Sequence, residues 1–441
     1  MSLIVNRLKT LAVAAGLALL WVHSACAQTQ LVATKPVVWK DFLGVNAHFL
    51  WFSPEQYQHQ IDQLKALGLQ WVRVDLHWDR LEPAEGKFDF QPLDALVSTL
   101  ENQKIKSVFY LVGSAGFATS APFYVSNKDQ YPPADAQQFA DAMGHLAERY
   151  PAVNAWQVWN EPNLPAFWQP LASPAGYRDL LAATEQELHR VAPDKTVVVG
   201  GMAYYSQMPG RSDLMLEDLA RLGALGDGVI VAYHPYSLTP ETDQPGANDF
   251  LLRARQVNQA LRSLHVAGIW ATEWGWSSYA GPVEEQPIIG TEGQAKYLLR
   301  RLAMMSALDY DRVFLFALSD LDQRASVRDR SYGLLDLAGH PKPAYVALKN
   351  FLRMTGPVLM PDAPPAMRHA PADLYGVAWR KPDGTHVWMF WGGSRGGHVD
   401  LAGIGHASLC RPMTGQCQLI ASNDGHLQLP VSDNLKMLEW R

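Results

Sequence analysis

The sequence predicts a (β/α)₈ barrel followed by a small all-β sandwich. Two patterns carry this expectation. Eight short, continuously apolar runs alternate with helix-period segments up to residue 355, and beyond it helical periodicity gives way to short β-like runs. At 441 residues the chain exceeds an ordinary single core.

Taken in order, residues 1–27 read as an export signal: Arg7 and Lys9, an apolar stretch from Leu11 to Val22, then Ala25-Cys26-Ala27 as a small-residue cleavage site, with the cut before Gln28. The stretch falls short of the roughly 20 residues a membrane span needs. Ser24-Ala25-Cys26 offers lipidation as a lesser reading, against which His23 stands where an aliphatic residue is usual. The expected destination is periplasmic or extracellular, membrane association included.

Barrel strands are expected at Phe42–Val45, Trp71–Val74, Ser107–Tyr110, Ala155–Val158, Thr196–Val199, Val229–Ala232, Ile269–Thr272 and Val313–Phe316. Their apolar residues are continuous, as in strands covered on both faces. Between the first two, Ser53-Pro54 is a helix cap with a first-turn proline; Tyr57, Ile61, Leu64 and Leu67 then share one face, and Gly68 stops the helix. Phe250, Ala254, Val257, Leu261 and Leu264 repeat that pattern before the seventh strand, with Gly268 as the expected stop. A doubly wound open sheet is the alternative, but no Gly-rich phosphate loop follows the first strand.

Gly356-Pro357 and the prolines at 361, 364, 365 and 371 mark a boundary, giving a barrel over 28–355 and a sandwich over 356–441. Strands are expected at Gly376–Trp379, His386–Trp391, Leu427–Val431 and Met437–Trp440. Pro412-Met413-Thr414-Gly415 reads as a hairpin turn; centred there, it sets Cys410 opposite Cys417, and an exported chain can oxidise them. The alternative is two unpaired thiols.

Composition narrows the function. Hydrophobic residues at 48% and charged residues at 18% describe an ordinary folded protein. A formal charge of −6 without a Lys/Arg-rich stripe argues against nucleic acid. No spacing suggests a metal site, and no cofactor is expected.

Chemistry concentrates at strand ends. Pro162 cannot continue a ladder, so Glu161 in Trp159-Asn160-Glu161-Pro162 sits at the carboxyl end of the fourth strand, the catalytic face of such barrels. Glu273 closes the seventh strand inside an apolar run, and a buried carboxylate needs a partner or a task. Two carboxyl groups on nearby strand ends are what glycoside hydrolysis requires. The bland readings are a helix cap for Glu161 and a plain ion pair with Arg73 for Glu273.

Asn160-Glu161-Pro162 together with Glu273 resembles the signature of the retaining clan A glycoside hydrolases. The run from Val37 to Glu55, the stretch Phe109–Ser114, and the segments Trp156–Leu164 and Leu318–Arg330 are similar to family 39-like endoglycosidases of bacterial exopolysaccharide clusters. That resemblance implies endo-cleavage of a mannose-, glucose- and rhamnose-containing polysaccharide tied to biofilm matrix. It implies Glu161 as acid/base, Glu273 as nucleophile, Asn160 at the sugar 2-hydroxyl, Arg73 holding the nucleophile ionised, and His234 and Tyr236 orienting nucleophile and sugar. A monomer is expected, with peripheral association with an exopolysaccharide export machine as a partner reading. Two departures stand out: the third strand ends Val112-Gly113-Ser114 without the usual His, and the eighth ends Leu318-Ser319-Asp320 without the usual sugar-stacking Trp. Trp276 is expected at the sugar; Trp78, Trp168 and Trp274, with His48 and Trp51, could face sugar or pack, and Asp320, Asp322 and Arg324 could line a subsite. Alternatives in function are an exo-acting xylosidase-like or cellulase-like hydrolase and a non-catalytic carbohydrate-binding barrel.

Overall fold

The computed structural model describes residues 29–204, 215–242, 249–282, 286–393 and 396–441. The expected export signal, with Cys26, lies outside the described residues. Among them no helix is long and apolar enough to cross a membrane.

Eight parallel strands close into a barrel: β3 (Leu43–Asn46), β4 (Trp71–His77), β5 (Lys106–Val112), β6 (Ala155–Asn160), β7 (Thr196–Ala203), β8 (Val229–His234), β9 (Gly268–Trp274) and β10 (Arg312–Leu315). Each expected run overlaps one of them, although Phe42 closes the preceding short helix and Phe316 lies just past β10. They are preceded by β1 (Thr29–Leu31) and β2 (Val37–Val38), and helices fill the intervals between barrel strands. In the helix Pro54–Ala66 the Ser53 hydroxyl accepts from the Gln56 amide and the Gln56 side chain accepts from the Ser53 amide, a reciprocal cap. Its Tyr57, Ile61 and Leu64 are buried, and Gly68 follows with φ 75°. The expected stop at Gly268 is corrected. The helix Asp249–Ser263 ends earlier, the chain reverses at His265 with φ 58°, and Gly268 opens β9.

The barrel interior is layered. Trp71, Val108, Ala155, Val198, Ile230, Ala232, Trp270 and Phe314 form an apolar plug. Strand residues two positions on point the same way, so the next layer holds Arg73, Tyr110, Gln157, His234 and Thr272. That layer supports the mouth.

Beyond the barrel run β11 (Val358–Pro361), β12 (Met367–His369), β13 (Tyr375–Arg380), β14 (His386–Trp391), β15 (Gly397–Ala402), β16 (His406–Arg411), β17 (Gln416–Ala421), β18 (His426–Val431) and β19 (Lys436–Trp440). The large sheet has the order β17-β16-β19-β14-β13-β11-β2, with β1 also on β13; a second sheet has the order β12-β15-β18. Between them pack Ala378, Trp388, Phe390, Val399, Leu401, Leu429 and Leu438. Alternate residues of the large sheet, among them Val377, Trp379, Met389 and Trp391, join the core shared with the barrel, and the Trp391 indole donates to Glu241 at 2.8 Å. Cys410 lies opposite Cys417 across β16 and β17, and the two are joined as a disulfide.

The boundary differs from the sequence expectation at one end. The expected barrel includes residues 29–38, but Thr29–Leu31 pairs in parallel with Tyr375–Val377, and Val37 and Val38 pair with Leu359 and Val358. A two- or three-residue strand whose partner lies at the far end of the chain leaves no local signal.

Candidate active site

The fourth and seventh barrel strands, β6 and β9, bring the two glutamates together. Along β6, Ala155 and Gln157 face inward, and simple alternation would turn Trp159 inward too. Instead Trp159 has φ 71°, its ring packs outward on Phe139 and Trp168, and its indole donates to the Phe167 carbonyl at 3.1 Å. That slip lets Asn160 face the interior, where its Oδ1 accepts from Arg73 at 2.7 Å. Glu161 follows with φ 42°. Two successive positive-φ steps at non-glycine residues with one ordinary residue between them store roughly 1–3 kcal/mol each, which surrounding packing must offset.

Arg73 on β4 organises the mouth. Its guanidinium donates to Glu273 Oε1 at 2.6 Å, Asn46 Oδ1 at 2.8 Å, Gln157 Oε1 at 2.7 Å and Asn160 Oδ1 at 2.7 Å, and lies 3.8 Å above the Tyr110 ring. Every oxygen on this list is buried, so the cation is matched by acceptors rather than by water. The Tyr236 hydroxyl donates to the other oxygen of Glu273 at 3.1 Å. Burial and the neighbouring Glu273 push the Tyr236 phenol well above its ordinary pKa, so it remains a donor.

His234, ending β8, places Nδ1 2.7 Å from Glu161 Oε1 and Nε2 3.0 Å from the Thr272 hydroxyl. Burial lowers its pKa to about 3, outweighing the attraction of Glu273. The imidazole is therefore neutral at physiological pH. Space for it comes from Gly201 on β7, where a Cβ would stand 1.9 Å from Nε2. One oxygen of Glu161, one of Glu273 and a nitrogen of His234 lie mutually within 4.8 Å.

A second charged group is formed by His48, just beyond the first strand, and by Asp75 and His77 on the second. His48 Nδ1 lies 2.9 Å from Asp75 Oδ1, and His77 Nε2 lies 3.5 Å from Asp75 Oδ2. Burial disfavours both charges, yet the pairing wins: His48 titrates above its ordinary value and Asp75 well below. The His48 ring meets Phe316 edge-on at 5.4 Å, and Phe316 meets Tyr332 at 5.2 Å.

Of the sequence-derived candidates, Glu161, Glu273, Asn160, Arg73, His234 and Tyr236 thus converge. Trp276 does not: it is 3% exposed, donates to the Ser237 carbonyl at 2.8 Å and packs on Tyr297. Trp78, Trp168 and Trp274 are likewise core. Asp320 pairs with Lys342 at 2.9 Å, while Asp322 and Arg324 pair with each other, Arg324 lying over the Trp51 ring. Sequence reasoning missed Asn46, Gln157, Thr272 and Asp75, although each is a polar residue interrupting an apolar strand. It also missed Phe316: the eighth strand ends at Leu315, so the partly exposed aromatic at its tip precedes Leu318-Ser319-Asp320.

A family model described as beta-galactosidase, of glycoside hydrolase family 42, matches residues 49–122. No curated protein matches the sequence. Among solved structures, a family 39 glycoside hydrolase from Bacteroides cellulosilyticus WH2 is similar with TM-score 0.69 and 20% identity, over 90% of this chain and 80% of that one. A monomeric beta-xylosidase from Caulobacter crescentus CB15 is similar with TM-score 0.62 and 16% identity, over 94% and 99%. A family 30 endoxylanase from Clostridium papyrosolvens C71 gives TM-score 0.60 and 12% identity, over 93% and 98%. At these identities the likeness is one of fold.

Proposed function

We propose that the chain is a retaining glycoside hydrolase in which Glu273 is the nucleophile and Glu161 the general acid/base. The observation that carries this reading is the approach of the two carboxyl groups, with an oxygen of each within 4.8 Å. Retaining enzymes need about 5–5.5 Å between the groups, whereas inverting enzymes leave about 6.5–9.5 Å for a water. The environments divide the roles. Arg73 and the Tyr236 hydroxyl stabilise negative charge on Glu273, as an attacking carboxylate requires, while Glu161 meets a neutral imidazole.

In the first step Glu161 protonates the departing glycosidic oxygen as a Glu273 oxygen bonds to the anomeric carbon. Water then attacks that carbon, giving its proton to Glu161 and releasing Glu273. Asn160, fixed by Arg73, is placed to meet the sugar hydroxyl beside the reacting carbon, and Phe316 offers an apolar face to the ring.

The substrate reading is a bacterial exopolysaccharide of mannose, glucose and rhamnose, cut internally in the manner of PslG, the matrix-linked endoglycosidase that the motif runs resemble. In this reading the protein is exported and monomeric, works in the periplasm or outside the cell, and associates peripherally with the export machine. The full-length likeness to a monomeric beta-xylosidase favours exo action as the second reading. Purified residues 28–441 incubated with such a polysaccharide, with products weighed by mass spectrometry, separate the readings. Oligomers support endo action and monosaccharides exo action. No release from any polysaccharide or aryl glycoside would leave a binding protein.

A further inference from the structure

Thr272 is fully buried on β9, immediately before Glu273, and its hydroxyl stands 3.0 Å from His234 Nε2. The opposite nitrogen, Nδ1, faces two carboxyl groups: Glu161 Oε1 at 2.7 Å and Glu273 Oε2 at 3.6 Å. A neutral imidazole carries one ring proton, and the edge facing two carboxyl groups is where it is favoured. Nε2 is then an acceptor and requires a donor. The Thr272 hydroxyl is such a donor, and Gly201 lets β7 press the ring toward it.

We propose that Thr272 is a positioning residue that fixes His234 as its Nδ1–H tautomer, and that this tautomer directs the acid proton of Glu161 toward the leaving group. With Nδ1–H donating to Oε1, a proton on Glu161 is confined to Oε2. The other tautomer would present a lone pair to Oε1 and draw the acid proton inward, away from the substrate. Thr272 thereby acts on an oxygen it does not touch. Among the described residues, the charged and titratable groups facing Glu161 include His234 from β8, Glu273 from β9 and Arg73 from β4 through Asn160, with the Tyr110 and Tyr236 phenols nearby. Among these, the imidazole tautomer is the feature that Thr272 controls.

This inference rests on the glycosidase reading, and two measurements separate their failures. In ¹⁵N spectra of histidine-labelled protein, with His234 assigned through His234→Gln, the ring should remain the Nδ1–H tautomer from about pH 5 to 8. An Nε2–H ring or an imidazolium in that range overturns the inference whatever the activity. For kinetics, Thr272→Val removes the donor at nearly constant volume and Thr272→Ser restores it. On phenyl β-glycosides of glucose, mannose and xylose, whose poor leaving group needs the proton, Thr272→Val should lower kcat/KM about 10-fold. On the corresponding 2,4-dinitrophenyl glycosides it should lower kcat/KM less than about 2-fold, and Thr272→Ser should resemble wild type on both. Equal losses on the two leaving groups, or no loss on either, overturn the inference. A wild-type protein that turns over none of these glycosides and no polysaccharide overturns the glycosidase reading, and the spectrum still decides the tautomer.

Discussion

The barrel mouth and the central strands of the large sheet, β13 and β14, are both buried, but by opposite means. These strands are apolar on both faces, Trp388 and Phe390 meeting the small sheet while Met389 and Trp391 join the barrel-side core. The mouth buries a guanidinium, carboxyl groups and an imidazole, and holds Trp159 and Glu161 at positive φ. Dispersion and water exclusion stabilise the first, whereas the second remains only because each charge is matched. The contrast teaches where to expect which damage: changes at the mouth should cost turnover, and changes in the sandwich should cost stability.

The largest expected effect tests the mouth. Glu273→Gln should reduce turnover by about 10⁴-fold or more on every substrate while the protein stays folded, because no covalent intermediate can form. Turnover near wild type would remove the assignment. Next is Glu161→Ala, expected to cost about 10²–10⁴-fold on substrates with poor leaving groups. On an activated aryl glycoside the first step should persist; added azide should then restore turnover and yield a glycosyl azide of retained configuration. An inverted azide would show the roles misassigned.

A smaller effect divides the mouth itself. The His234 pKa of about 3 in the folded protein lies below the unfolded value near 6.5, so the unfolded chain binds a proton first. Its contribution makes stability fall as pH drops from about 6.5 toward 3. His48 has the reverse sign: its folded pKa is raised, so its contribution is full below about 6.5 and is lost as pH climbs through the raised value. Urea midpoints across pH should show His234→Gln flattening the loss below about pH 6.5, and His48→Gln removing its loss as pH rises above about 6.5. Parallel changes in the two variants would contradict the assigned environments.

The smallest effect belongs to the sandwich. Reducing Cys410–Cys417, or replacing both by Ser, should cost about 2–3 kcal/mol at most, because the loop is short. Activity per folded molecule should be unchanged, and a loss of turnover without unfolding would mean that the two regions are coupled more tightly than their contacts indicate.

The same contrast explains what was legible beforehand. All eight barrel strands were visible because burial on both faces leaves a largely apolar run, and Glu161 and Glu273 were visible because each breaks a local rule. Arg73, Asn160, His234 and Tyr236 were reached through resemblance. Trp276 was misplaced because an indole can serve a core or a sugar, and only its bond to the Ser237 carbonyl decides. Asn46, Gln157 and Thr272 were overlooked because a single polar residue in a strand declares its partner only when the barrel closes. Phe316 was overlooked because the eighth strand stops one residue before it.

The pairing of Thr29–Leu31 with Tyr375–Val377 has a consequence for the order of assembly. The first described strand of the chain is among the last to find its place, since its partner is synthesised only after the whole barrel has been made. Contacts of such sequence separation are slow to form, and until they do β13 presents an open edge. A fragment ending at residue 355 would strand both β1 and β2 without a sheet to enter. Proteolysis during refolding should therefore find residues 29–38 accessible after the barrel has become resistant, the leading end of the chain acting as the final latch.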